Sequence, residues 1–129
     1  MLREVVEKVT LMSYNNSDEL ISSTTSLSYI DKVVLDVIPL FTGNYKLNWY
    51  CEISQSNLNA RALTRVFDDT NIFGESITDF KVANIYKNIS GYKIISLTKG
   101  VRVIFRLQFC ASSQTVSIQR ARLLLERLF

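Results

Sequence analysis

The side chains best equipped for chemistry in this chain are its acids and its two thiols. Asp68 and Asp69 stand together, with Glu75 and Asp79 close behind, in the run FDDTNIFGESITDF. Carboxylates brought close together can hold calcium or divide the acid and base roles of a glycosidase. The same residues also suit a turn, where Asp and Asn bond their own backbone and leave their charge in water. The spacing does not match a calcium loop, and the turn is the simpler reading. Cys51 and Cys110 lie far apart and fit neither a disulfide framework nor a zinc pattern. They read as small apolar fillers, kept reduced. The 129 residues include no His. Ser-His-Asp and Cys-His nucleophiles are therefore excluded, and a zinc site would have to rely on Cys and carboxylates. There is no glycine-rich phosphate loop and no dinucleotide fingerprint. The expectation is a non-enzymatic protein, with no catalytic residue, no cofactor and no metal.

Charge narrows the partners. Fifteen basic and twelve acidic residues leave a net +3, and the arginines are spaced through apparent strands instead of gathering in a tail. That distribution argues against nucleic acid. Arg61, Arg65, Arg102 and Arg106 have two readings: a solvated face of cross-strand ion pairs, or a protein–protein interface, where Arg is enriched. No run of eighteen apolar residues occurs, so no membrane span is expected. The start, MLREVVEKVTLM, carries charges within its apolar stretch and resembles neither a secretory signal nor a transit peptide. A soluble protein made in a cytoplasm is expected. The sequons at Asn15 and Asn88 then carry little weight.

These residues need elements to hold them. At 47% hydrophobic and 11% aromatic, 129 residues suffice for one domain around one core. Period-two alternation, the mark of strands with one buried face, recurs along the chain. In YIDKVVLDVI it puts Val33, Leu35 and Val37 on one side, and Pro39 then ends pairing. In NYKLNWYCEI, Tyr45, Leu47, Trp49, Cys51 and Ile53 share the face expected to be core. VRVIFRLQFC sets Val101, Val103, Phe105, Leu107 and Phe109 against Arg102, Ile104, Arg106, Gln108 and Cys110. ARALTRVFDDT sets Arg61, Leu63, Arg65 and Phe67 against Ala62, Thr64 and Val66. GYKIISLTKG gives a shorter strand closed by a turn at Gly100, where positive φ costs little. The polar run NNSDELISSTTSLS, from Asn15 to Ser28, reads as a loop or extended segment. VSIQRARLLLERLF fits a helix face through Ile118, Ala121, Leu124, Leu125 and Leu128, and equally a strand. Six or seven strands with little helix predict an all-β antiparallel sandwich or barrel.

The order of these segments resembles a jelly-roll-like β-sandwich family of tailed-bacteriophage virion structural proteins. The motifs that carry the resemblance are Gly43, Tyr45, Leu47 and Trp49, then Arg61 and Arg65, then Leu97, Thr98 and Gly100. Val116, Ile118, Ala121, Leu123 and Leu125 close the series. The likeness spans residues 23–128, and it turns the C-terminal segment into a strand with a bulge near Gln119. It implies a single jelly-roll-like sandwich over residues 23–129, preceded by a strand or arm plus loop over residues 1–22. It further implies a structural role in a virion assembled in the host cytoplasm: capsid decoration, or a neck, tail or fibre-associated part. The partners would be other virion proteins and further copies of the chain, with Arg61, Arg65, Arg102 and Arg106 near the contacts. The alternative is a carbohydrate-binding sandwich, in which Tyr50, Tyr86 or Tyr92 stacks on a glycan of the host.

Overall fold

A computed structural model describes residues 13–57 and 60–128 of the chain. Nine strands and no helix are found among them: β1 (Ser13–Asp18), β2 (Ser22–Thr24), β3 (Ile30–Val37), β4 (Gly43–Gln55), β5 (Arg61–Phe67), β6 (Ile72–Asp79), β7 (Lys87–Leu97), β8 (Val103–Ala111) and β9 (Val116–Arg127). They form two antiparallel sheets. One runs β1-β9-β4-β7, with β2 also on β9, and the other runs β3-β8-β5-β6. Only at β5-β6 are sequence neighbours paired, so the chain passes repeatedly from one sheet to the other, as in a jelly roll.

Alternation explains the core. From the first sheet, Tyr45, Leu47, Ile53, Ile118, Leu123 and Leu125 point inward; from the second come Val33, Leu35, Val66, Phe105, Leu107 and Phe109. All twelve are buried. The C-terminal segment is strand from Val116 to Arg127. Between the pairs Tyr50–Arg122 and Glu52–Gln119, β9 carries one residue more than β4. This bulge, with Arg120 at φ 49°, lets Val116 and Ile118 share the inner face with Ala121, Leu123 and Leu125. The helical spacing in the sequence is this phase shift.

Of the two readings of the polar run from Asn15 to Ser28, the extended one holds, for it contains most of β1 and all of β2, both laid against β9. Pairing with a strongly apolar neighbour outweighs the weak strand propensity of Ser and Asn. Three other expectations need correction. The acidic run FDDTNIFGESITDF is a turn only over residues 68–71, and its remainder is β6. Val101 is exposed ahead of β8 and takes no place in the core. Trp49, expected in the core, is half-buried, and Val103 at the start of β8 is half-buried as well. Of the N-terminal strand or arm, residues 1–12 lie outside the described residues; from Ser13 onward the chain is already part of the first sheet.

Candidate interaction surface

The expected arginine row lies on or beside the outer face of the β3-β8-β5-β6 sheet. Arg61 and Arg65 alternate with buried Ala62 and Thr64 on β5, and Arg106 alternates with buried Phe105 and Leu107 on β8. Each guanidinium is engaged inside the chain. Arg61 Nε donates to Asp79 at 2.9 Å, and Arg102 forms a two-pronged pair with Asp36 at 2.8 and 2.5 Å. Arg106 bridges Asp31 at 2.6 Å and Asp69 at 3.0 Å. Arg65 donates to Gln108 at 2.8 Å and lies between the rings of Tyr29 and Phe67, 4.2 and 4.3 Å from their centroids. Gln108 passes the network on to Asp31 at 2.6 Å. This is a cross-strand ionic lattice, the first of the two readings of these residues. Its charge is largely neutralised within the chain, so a partner placed here would meet a patterned surface and little net field.

The acids that opened the sequence reading are dispersed. Asp79 serves Arg61 and Asp69 serves Arg106. Asp68 accepts the backbone N–H groups of Thr70 and Asn71 at 3.0 and 2.6 Å, holding the turn. Glu75 is paired in register with Arg65. Among the described residues no group of three or more potential ligands could hold a metal. Cys51 and Cys110 are both free and buried. Burial pushes the Cys51 thiol up to about 12 and also raises that of Cys110. The thiolate, the reactive form, is suppressed at both.

Two of the tyrosines proposed as sugar platforms carry cations on their rings. Lys46 sits 4.6 Å above Tyr92, and Arg122 lies 4.6 Å from Tyr50. The Tyr50 hydroxyl is bound to Glu52 at 2.6 Å, and Gln119 reaches the same carboxylate at 2.8 Å. Tyr86 is half-buried.

Sequence reasoning missed two features. The first is the seam between β6 and β7, at one lateral side of the sandwich. The indole of Trp49 occupies it so closely that a Cβ on Gly74 would lie 2.3 Å from a ring carbon, and one on Gly91 2.6 Å. Two of the four glycines thus admit the only Trp, a role a sequence cannot distinguish from turn-making. Thr64, Val66, Ser76 and Ile89 join them around a cleft of about 120 Å³. The second is Lys32, the extra residue of a bulge in β3 and buried despite its charge. Its ammonium donates to the Leu20 carbonyl at 2.6 Å and the Ser22 hydroxyl at 2.7 Å, and pairs with Asp18 at 3.0 Å. All three donors have partners, which is what makes such burial tolerable. The only signal available was a Lys beside an alternating apolar run.

No protein-family model matches the chain, and no curated protein matches it. Solved structures do match in shape. The Eiger TNF structure from S. frugiperda superposes with TM-score 0.60 at 8% identity, covering 93% of this chain and 94% of that one. The VP2 subviral particle of infectious bursal disease virus gives 0.58 at 10% identity, over 88% of this chain and 31% of VP2. Dimeric latent PorU from Porphyromonas gingivalis gives 0.56 at 12% identity, over 89% of this chain and 12% of PorU. At such identities the likeness shows the fold: an all-β, antiparallel, jelly-roll-like sandwich.

Proposed function

We propose that this chain is a non-enzymatic structural protein of a bacteriophage virion, a decoration, neck, tail or fibre-associated component that acts through protein–protein contacts. The observation that supports this most is the sandwich itself, which carries the four family-like motifs in order and shares its fold with the VP2 subviral particle. Asp68, Asp69 and Asp79 are committed to structural partners and both thiols are buried, in keeping with a role built on contacts. The arginine lattice around Arg61, Arg65, Arg102 and Arg106 is a patterned face suited to a neighbouring virion protein.

Quantitative mass spectrometry of purified particles tests the reading. The chain should be present at a fixed copy number, either that of a capsid lattice or that of a ring. Its absence from particles would overturn the proposal. Deleting residues 1–11 should leave the sandwich folded and weaken incorporation; equal incorporation would remove the arm as an anchor. The carbohydrate-binding alternative would gain if the isolated protein bound one defined sugar on a glycan array.

A further inference from the structure

The two edges of the first sheet complement each other. Among the described strands β1 pairs only with β9 and β7 only with β4, so each has a side to which no described strand is bonded. Such a side presents backbone donors and acceptors that another strand can use. Every step across β1, β9, β4 and β7 is antiparallel, so β1 and β7 run in opposite directions. A second copy in the same orientation therefore brings its β1 antiparallel to β7, and the sheet continues across the junction.

The side chains agree with this pairing. β7 carries Lys87 and Lys93 and no acid, whereas β1 and the residue after it carry Asp18 and Glu19 and no base. With Asp18 held by Lys32 and Lys87 bound to the Asp79 carbonyl, the charges left to complement each other are Glu19 and Lys93. Immediately beyond, Leu20 and Ile21 stand 77% and 63% exposed. Their loop is held by the Lys32 ammonium, whose side chain is 1% exposed, and by the Leu20 N–H bond to Asp18 at 3.0 Å. Fixing a loop with a buried charge while its apolar tip faces water gives a pre-ordered knob, sparing the entropy of ordering it on contact. On the opposite side of the sandwich, next to β7, lies the cleft beside Trp49, Val66 and Ile89, with Thr64, Ser76 and Ser90 on its polar side. Its 120 Å³ has room for one side chain, whose apolar part can lie against Trp49, Val66 and Ile89.

We infer that the chain assembles head to tail, with the β1 edge and residues 19–21 of one copy seated on the β7 edge and Trp49 cleft of the next. This deepens the reading above, on which contacts are the function, by naming a second copy as a partner. Because the two surfaces differ, repetition gives a ring where the rotation closes and a filament where it does not.

Sedimentation of the full chain should show association at micromolar concentration, accompanied by a change in Trp49 emission. Replacing Leu20 and Ile21 together by Asp, both at exposed positions, should weaken association by about tenfold or more. Lys93→Glu and Glu19→Lys should each weaken it, and the two combined in one chain should restore it. A full-length protein that stays monomeric, association unaffected by the Leu20 and Ile21 changes, or a charge swap without recovery would each overturn the inference. A chain monomeric in solution yet present in particles sinks this contact and leaves the virion role standing. Self-association with absence from particles does the reverse.

Discussion

Where β1 meets β3, polar groups join the two sheets. Asn16 donates its side-chain amide to the Val34 carbonyl at 2.7 Å, and Lys32 gathers Asp18, Leu20 and Ser22 around one buried charge. Where β6 meets β7, a single indole fills the gap between Gly74 and Gly91. The first side is directional: each contact demands a particular donor and acceptor, and losing one strands the other. The second is steric: it demands volume and shape, and loss of the ring leaves space. One sandwich is thus closed laterally in two ways, and the two should fail under different perturbations.

Trp49→Ala should have the largest effect, a loss of about 3 kcal/mol, the low end of the range for emptying an aromatic site because the ring is half-buried. Denaturant titration measures it, and a change under about 1 kcal/mol would deny the indole its role as a wedge. Gly91→Ala should cost about 1–3 kcal/mol in the wild type through overpacking. In the Trp49→Ala background that cost should nearly vanish, and a double-mutant cycle showing simple additivity would separate the two residues. On the polar side, Lys32→Met should cost about 1–3 kcal/mol, since the Leu20 carbonyl loses its partner while Asp18 regains water.

How much of this was visible in the residues depends on periodicity. Tyr45, Leu47, Cys51 and Ile53 alternate without interruption, and the core face of β4 follows from them. The outward placement of Arg61 and Arg65 follows in the same way from Ala62 and Thr64. Trp49 obeys the same alternation and still does not belong to the fully buried set, because position along the sheet, and not phase, brings it to the seam. Its two glycines are distant in sequence from it and from each other. β1 was hidden for another reason: SYNNSD has no apolar alternation to read, and β9 supplies its partner. The Lys32 clamp requires two segments to meet across a bulge, and nothing local announces that.

Acid should reveal the same contrast more gently. Hydrogen bonding from Lys32 holds the Asp18 carboxyl below its usual range. Its contribution is present above the ordinary carboxylate pKa, near about 4, and is lost as pH falls through the lower folded value. Protection factors of the amides around Ser22 and Ser23, which allow for the slower intrinsic exchange in acid, should therefore fall before the Trp49 emission changes. A simultaneous change at both sides would mean that they are coupled. The smallest effect belongs to the lattice: Arg102→Ala, at an exposed pair with Asp36, should leave the denaturation midpoint nearly where it was.

The bulge of β9 carries a consequence for how the chain tolerates changes in length. A strand can be regarded as a two-letter frame, inside and outside, and Arg120 is the inserted letter that resets it. Before Arg120 the inner residues are Val116 and Ile118; after it they are Ala121, Leu123 and Leu125. Many substitutions at Arg120 should be harmless, and Gly should be welcome at a φ of 49°. Deleting that residue should be tolerated, because Gln119 then leads straight to Ala121 and the inner residues alternate opposite β4 in one unbroken phase. Deleting Arg122 instead is a frameshift in three dimensions: it would turn Leu123 and Leu125 toward water and offer Leu124 and Glu126 to the core.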